Sequence, residues 1–336
     1  MLLAFLATTS VGASGLPQWH SSEAQIKREL LSNCGDSYIR PGRAASASDC
    51  TAVPAPPDSV HTQFHVDRYH LVDELAESFG FDGYLRTWWH DPRLAFGSHP
   101  NASCAGLSKL SLTRAESRLV WRPQLYWERA LRIELPTDTA MVGAGAGELF
   151  EISPEGFVFW SQQTSATLAC DLDLSKMPFD TQRCRYKMGL YSLTADEVTL
   201  RWKTGRSALG AWNSSSTCRL HELIPSQLEQ ENTIDRYEYD YTYVTAHVSF
   251  TRQAYAVLIS FLMPAIVMVA VSMLGFYIDP SAMNARVALG VITLIVVINN
   301  FIALRSRFPT GEETWLSRLL LVSFGFNVLA FCEQVA

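Results

Sequence analysis

The sequence predicts an all-β, immunoglobulin-like sandwich followed by an α-helical transmembrane bundle. Two observations carry this. Across residues 60–202 the chain is cut into short segments of alternating apolar and polar residues, broken by Pro, Gly and Asp. That is the pattern of antiparallel strands with one face buried. From residue 255 onward the alternation gives way to uncharged runs at 255–278, 287–304 and 319–332. A helix of about 20 apolar residues crosses roughly 30 Å of hydrocarbon. With 336 residues, 48% hydrophobic and only 18% charged, the chain leans toward a membrane protein with a large β domain.

Taken in order, residues 1–15 open with Leu2, Leu3, Ala4, Phe5 and Leu6 and pass to the small residues Gly12, Ala13 and Ser14, which reads as a signal peptide. Export sets the N-terminus outside the cell, and orientation rests on it, because Arg286, Arg305 and Arg307 give no usable charge bias. Within 16–59, apolar residues Ile26, Leu30 and Leu31 recur at helical spacing behind Ser21 or Ser22, predicting a short surface helix. Pro41-Gly42 ends it, and the Ala, Ser and Pro run to Asp58 is a linker. The sandwich occupies 60–252. The transmembrane domain, 253–336, has spans at about 255–278, 286–304 and 315–334, the third needing Trp315 to Arg318 to reach across. Pro264 interrupts the first span, as membrane helices tolerate where neighbours satisfy the freed carbonyl.

Seven cysteines sit in this exported chain: Cys34, Cys50, Cys104, Cys170, Cys184, Cys218 and Cys332, the last in an apolar run. Cys34 with Cys50 is a candidate bridge, and Cys104 with Cys218 can pair or stay free. Cys170 and Cys184 enclose thirteen residues with Met177-Pro178-Phe179-Asp180 inside. A bridge there would remove roughly 3 kcal/mol of unfolded-state entropy. Asn101-Ala-Ser103 and Asn213-Ser-Ser215 are glycosylation acceptors.

Composition excludes several classes. A net charge of -6 gives no basic footprint, so no nucleic-acid partner is expected. The Gly143, Gly145, Gly147 cluster lacks the Lys-Ser/Thr and following helix of a phosphate cradle and reads as a hairpin turn. His61, His65, His70 and His90 have no Cys or acid repeat at zinc spacing, and no nucleophile motif occurs. No metal, no cofactor and no enzymatic activity are expected.

Several motifs together carry a family resemblance. They are the Cys170–Cys184 loop with its Pro178-Phe179-Asp180 core, and Phe81-Asp-Gly-Tyr84-Leu-Arg86-Thr-Trp88-Trp89-His-Asp91-Pro-Arg93-Leu94. To these are added Trp121-Arg-Pro123-Gln124-Leu-Tyr126-Trp127, Tyr191-Ser-Leu-Thr-Ala-Asp196-Glu197, and Ala285-Arg286-Val-Ala-Leu-Gly290-Val-Ile-Thr293 before the later spans. Over almost its whole length the chain resembles the Cys-loop pentameric ligand-gated ion channels, of the anion type that glycine, GABA or glutamate gates. With spacing and export, the resemblance implies that Cys170 and Cys184 are bridged. It also implies a fourth transmembrane helix, which this sequence lacks, so the chain is expected to be truncated.

The resemblance further implies an agonist site between subunits, with Tyr126, Tyr191 and Tyr241 in an aromatic box and Tyr84, Arg86 and Ser161 on the complementary strands. Aromatic faces attract ammonium groups and an arginine fork suits a carboxylate, so a small amino-acid-like ligand is expected. Gln124 stands where the family has aspartate, and Gly189 where amino-acid receptors carry an acid; Glu238 is the candidate replacement, or the ligand lacks an amine. Ala288, Ile292, Ile295, Asn299, Ile302 and Ser306 share one helical stripe, which the resemblance turns toward the pore. Rings of Ile292 and Ile295 would gate by dewetting. At the inner mouth, Asn284-Ala285 precedes Arg286 without the glutamate of cation channels, implying chloride selectivity. Asp180 and Arg252 match an ion pair coupling the two domains, with Pro309 in the loop meeting the Cys loop. The expected protein is a multi-pass plasma-membrane subunit of a homo- or hetero-pentamer, in contact with lipid. The alternatives are a non-conducting binding or assembly subunit and a cation-selective channel.

Overall fold

Alternation of apolar and polar residues becomes strands wherever one face finds a core. The computed structural model describes residues 18–33, 37–44, 56–99, 102, 106–134, 147–203, 223–236, 238–308 and 314–335. Helix α1 (Gln18–Asn33) precedes eleven strands among the described residues. They are β1 (Asp58–Asp73), β2 (Ser78–His90), β3 (Leu110–Leu112), β4 (Leu125–Trp127), β5 (Ala130–Glu134), β6 (Glu148–Ile152) and β7 (Phe157–Ala169). After the bridged loop come β8 (Thr181–Leu190), β9 (Val198–Trp202), β10 (Leu223–Arg236) and β11 (Asp240–Arg252). Three helices follow: α2 (Ala254–Tyr277), α3 (Met283–Arg307) and α4 (Trp315–Val335), each long and apolar enough to cross a membrane.

One sheet takes the order β3-β6-β7-β2-β1-β9 with β5 beside β7; the other is β10-β11-β8-β4. By packing, the chain divides into two units, one gathering Met1–Val60, Thr87–Pro123 and Asp138–Ser161, the other His61–Arg86, Gln124–Thr137 and Gln162–Ala336.

In the first unit Trp89 meets Trp121 and Phe150 edge to face, at 5.9 and 5.8 Å between centroids. The nearly buried Glu148 carboxylate accepts from Trp160 Nε1 at 2.9 Å and from Arg122 at 3.2 Å. The Asp91-Pro-Arg93-Leu94 tail of β2 is a short turn fixed by its own ends. Asp91, fully buried, accepts from the Arg93 amide at 3.1 Å and from its guanidinium at 2.7 Å.

The second unit holds the sandwich core. Phe64, Tyr69, Phe79 and Phe81 of one sheet pack against Trp127, Tyr186 and Phe250 of the other, all buried. Phe79 and Phe81 both touch the Tyr186 ring, at 5.2 and 4.8 Å. Burying such a ring contributes about 1.5–3 kcal/mol. The Tyr186 hydroxyl donates to Tyr69 at 2.8 Å. Burial first, then Tyr69, drives the Tyr186 pKa well above its ordinary value. Such a group stays protonated and forms a polar link inside the aromatic core.

Pro264 lacks an N–H and interrupts the hydrogen-bond ladder of α2. A π-helical turn at Leu258–Leu262 absorbs the break, and Asn300 of α3 donates to the Phe261 carbonyl at 2.8 Å. Small residues bring α3 and α4 together. A Cβ on Gly290 would lie 2.2 Å from the Phe331 ring, so only glycine permits this approach.

Candidate functional site

Two tyrosines close over a glycine on the outer face of the smaller sheet. Gly189 of β8 is in register with Tyr126 of β4 on one side and Tyr243 of β11 on the other. A Cβ at Gly189 would sit 2.5 Å from the Tyr243 ring, so the absence of a side chain lets that ring lie across the strand. The two hydroxyls then meet at 3.0 Å. Tyr191, 75% exposed, stands edge-on to Tyr126 at 5.7 Å. Gln124 positions this corner by accepting from the Tyr191 amide at 3.1 Å and from Ser192 Oγ at 3.3 Å.

Two residues before Gly189, Lys187 places its ammonium 4.2 Å from the centroid of the Tyr243 ring. Glu128 at 2.8 Å and Asp235 hold it there. Burial opposes the charged form, but the hydrogen bonds to Asp235 and Glu128 outweigh it and raise the Lys187 pKa. A permanently charged lysine therefore backs the tyrosine cluster.

The structure brings Tyr126 and Tyr191 together and adds Tyr243, which is only 7% exposed. Tyr241, expected with them, lies two residues earlier on the same strand, half-buried, without a ring contact to the other three among the described residues. Strand alternation puts 241 and 243 on one face; sequence reading named Tyr241 alone, and the glycine opposite 243 is what singles out Tyr243. Tyr84 and Arg86 lie half-buried on one face of β2. Neither side chain hydrogen-bonds within the described residues, which leaves the Arg86 guanidinium unneutralised. Ser161, on β7 in the other unit, is buried. Glu238 is exposed in the turn between β10 and β11.

A second constellation lies where the β domain meets the helices. Cys170 and Cys184 are bridged, with S–S 2.05 Å. From the loop they close, Asp180 reaches Arg252 with both oxygens, at 2.6 and 2.9 Å. Glu74, from the β1–β2 turn, takes the remaining guanidinium nitrogen. Burial disfavours the Arg252 charge, but Asp180 and Glu74 more than compensate and raise its pKa. Sequence reading missed Glu74, since an acid in a polar turn carries no pattern. Leu174 and Met177 of the same loop pack with Val257, Phe261 and Ala265 of α2, Leu304 of α3, Phe308 just past it, and Leu316 and Leu320 of α4. Phe179 meets Trp315 at 6.1 Å. Pro309 falls outside the described residues, as do Cys34, Cys50, Asn101 and Asn213.

Helix α3 presents two unlike faces. Gly290, Thr293, Val297 and Leu304 are buried against neighbours. Opposite them Asn284, Ala285, Ala288, Ile292, Ile295, Asn299, Ile302 and Ser306 are exposed, with Ile292 at 57% and Ile295 at 52%. Thr293 spends its hydroxyl on the Gly290 carbonyl at 2.9 Å. The exposed stripe between Ala288 and Ile295 therefore has no hydroxyl. Arg286 is half-buried and turned back to the Ile278 carbonyl.

A disulfide-closed loop seated on apolar helices, below a sandwich with an aromatic cluster, is the architecture of a receptor domain joined to membrane-crossing segments. Residues 23–254, more than half of the chain, match the neurotransmitter-gated ion-channel ligand binding domain. The chain belongs to the neurotransmitter-gated ion-channel family, a family of channels and not of enzymes. It is similar to the gamma-aminobutyric acid receptor subunit rho-1 of Homo sapiens, 27% identical over 289 residues, covering 84% of this chain and 56% of that one. The human rho-2 subunit is also 27% identical, with 84% and 58% covered. The human rho-3 subunit is 26% identical over 306 residues, with 90% and 60% covered. The chain thus spans less than two thirds of these relatives' length.

Proposed function

We propose that the chain is a subunit of a pentameric neurotransmitter-gated channel of the plasma membrane, with its β domain extracellular, residues 60–252 binding ligand and 253–336 forming the pore. A small amino-acid-like ligand opens it and chloride passes. One observation carries the gating part: Arg252, the last residue of β11, is buried between Asp180 and Glu74 and continues directly into α2. A displacement of the loop or strand on binding is transmitted to the helices through a bidentate ion pair rather than a flexible link.

Ligand chemistry follows from two surfaces. Arg86, without a hydrogen-bond or ion-pair partner among the described residues, suits a carboxylate supplied by the ligand. Tyr126 and the exposed face of Tyr191 supply aromatic surface opposite, at the interface a neighbouring subunit would complete. Position 189 carries no acid, and Glu128 and Asp235 beside the cluster are taken by Lys187, so an amine on the ligand would be held by ring faces. The similarity to subunits named for gamma-aminobutyric acid supports this class.

For the ion, the exposed stripe of α3 is the surface five copies would turn inward. Ala285 stands beside Arg286 where an acid would favour cations. A second reading, a non-conducting binding or assembly subunit, is favoured by how apolar that stripe is, since Ile292, Ile295 and Ile302 would form successive dewetted rings. Current recording from cells expressing the protein, with a panel of amino-acid agonists, separates the two. Reversal potentials that follow external chloride are expected, and Ala285→Glu should move them toward sodium. A wild-type reversal that follows sodium overturns the anion reading. Surface protein that binds agonist, alone and beside related subunits, and never carries current supports the second.

A further inference from the structure

The charge where α2 turns into α3 comes from two residues. Arg286 folds back onto the chain, its Nε and Nη2 both donating to the Ile278 carbonyl, at 3.1 and 2.5 Å. The next residue, Asp279, is exposed, and its carboxylate is fixed by accepting the Ser281 amide at 2.8 Å. Hydrogen bonds from the Ser281 backbone and side chain, and then the charge of Arg286, hold the Asp279 pKa below its ordinary value. No salt bridge joins Asp279 to a cation among the described residues, so its charge is not cancelled by contact. Sequence reading found no acid beside Arg286 because Asp279 lies before the helix starts. The fold of the turn brings the two charges to adjoining positions.

We propose that Asp279 is a second determinant of ion selectivity at the mouth formed by Asn284, Ala285 and Arg286, where its carboxylate offsets the arginine and narrows the preference for anions. This rests on reading the chain as a channel subunit. The argument is one of range. Exposed charges act over about 8 Å at physiological ionic strength, and Asp279 adjoins the carbonyl that the guanidinium grips. An ion arriving at Ala285 meets both. Each copy of the chain contributes one positive and one negative group, so the arginine ring is weaker than its count suggests. The Ser281 amide also fixes the orientation of the acid.

The test reads local potential without needing current. Ala285→Cys is introduced into protein carrying Cys332→Ser, and inside-out membrane vesicles are treated with cationic or anionic methanethiosulfonate reagents. The ratio of the two labelling rates is compared with and without Asp279→Asn. Asparagine keeps the acceptor for Ser281 and removes only the charge. The cationic-to-anionic ratio is expected to fall by about 3-fold or more, as Coulomb's law in water gives for losing one nearby unit charge per copy. Asp279→Glu should leave the ratio within experimental error of the parent. A ratio unchanged by Asp279→Asn overturns the proposal, and so does an equal fall with Asp279→Glu, which would mark a structural role. Chloride or sodium reversal tests the anion reading separately. A shifted ratio with sodium-following currents leaves Asp279 in place and removes only that reading.

Discussion

The hydroxyls of Tyr126 and Tyr243 meet at 3.0 Å across Gly189, the residue that faces both of them in register. The contact exists because position 189 has no side chain. Gly189→Ala would push a methyl to 2.5 Å from the Tyr243 ring. Overpacking of this kind costs about 1–3 kcal/mol. The thermal midpoint of the detergent-solubilised protein should drop, and the further drop caused by Gly189→Ala should largely vanish when it is measured in a Tyr243→Ala background. If Gly189→Ala melts like the parent, the ring does not lie across the strand.

Asp180→Ala would leave Arg252 buried with Glu74 as its one carboxylate. Removing one partner of a buried ion pair costs about 3–5 kcal/mol. The amount of folded protein at the cell surface should fall sharply. Arg252→Lys should also be impaired, since a point charge cannot engage Asp180 twice and Glu74 at once. Normal surface levels and melting for Asp180→Ala would refute the junction's part in stability.

For Arg86, truncation to alanine removes the unneutralised guanidinium without breaking any bond inside the described chain. A carboxylate agonist should lose about 30-fold or more in apparent affinity, the range for deleting one partner of a hydrogen-bonded charge pair. Protein yield should stay unchanged. A superimposable dose–response curve would remove Arg86 from the site.

His247 predicts an acid response. On β11 it lies between Arg185 and Arg183 of β8 and Glu229 and Glu231 of β10. Burial, then Arg183, lowers its pKa from 6.5, and Glu231 opposes this incompletely. With the folded pKa below the unfolded one, its contribution to stability is fully present above pH 6.5 and lost as pH falls through the folded value. His247→Gln should flatten the decline in thermal midpoint as pH falls below 6.5. An identical decline in both proteins would assign the acid sensitivity to other groups.

Much of this was legible in the chain because local signals agreed with long-range packing. Alternation in β8 puts Gln182, Cys184 and Tyr186 inside and Thr181, Arg183 and Arg185 outside, as a half-buried strand should. The uncharged runs became α2, α3 and α4 with ends shifted by a few residues. What sequence could not give was partnership between distant residues. Tyr241 and Tyr243 have the same period, and only the register between β8 and β11, set by the sheet, decides which one meets Gly189. Glu74 and Asp279 are unremarkable acids in turns until the fold brings arginines to them. Lys187 would pass for a solvated charge on an edge, whereas Tyr243, Glu128 and Asp235 enclose it.

The seating of Leu174 and Met177 has a mechanical meaning. These two side chains share one close-packed apolar cluster with residues from α2, α3 and α4 and with Phe308 beyond α3. Lifting the loop would open a void beside every helix at once, and voids in such packing are expensive. The loop and the three helices therefore share one packing unit, and any displacement of the loop costs packing against all three helices at once.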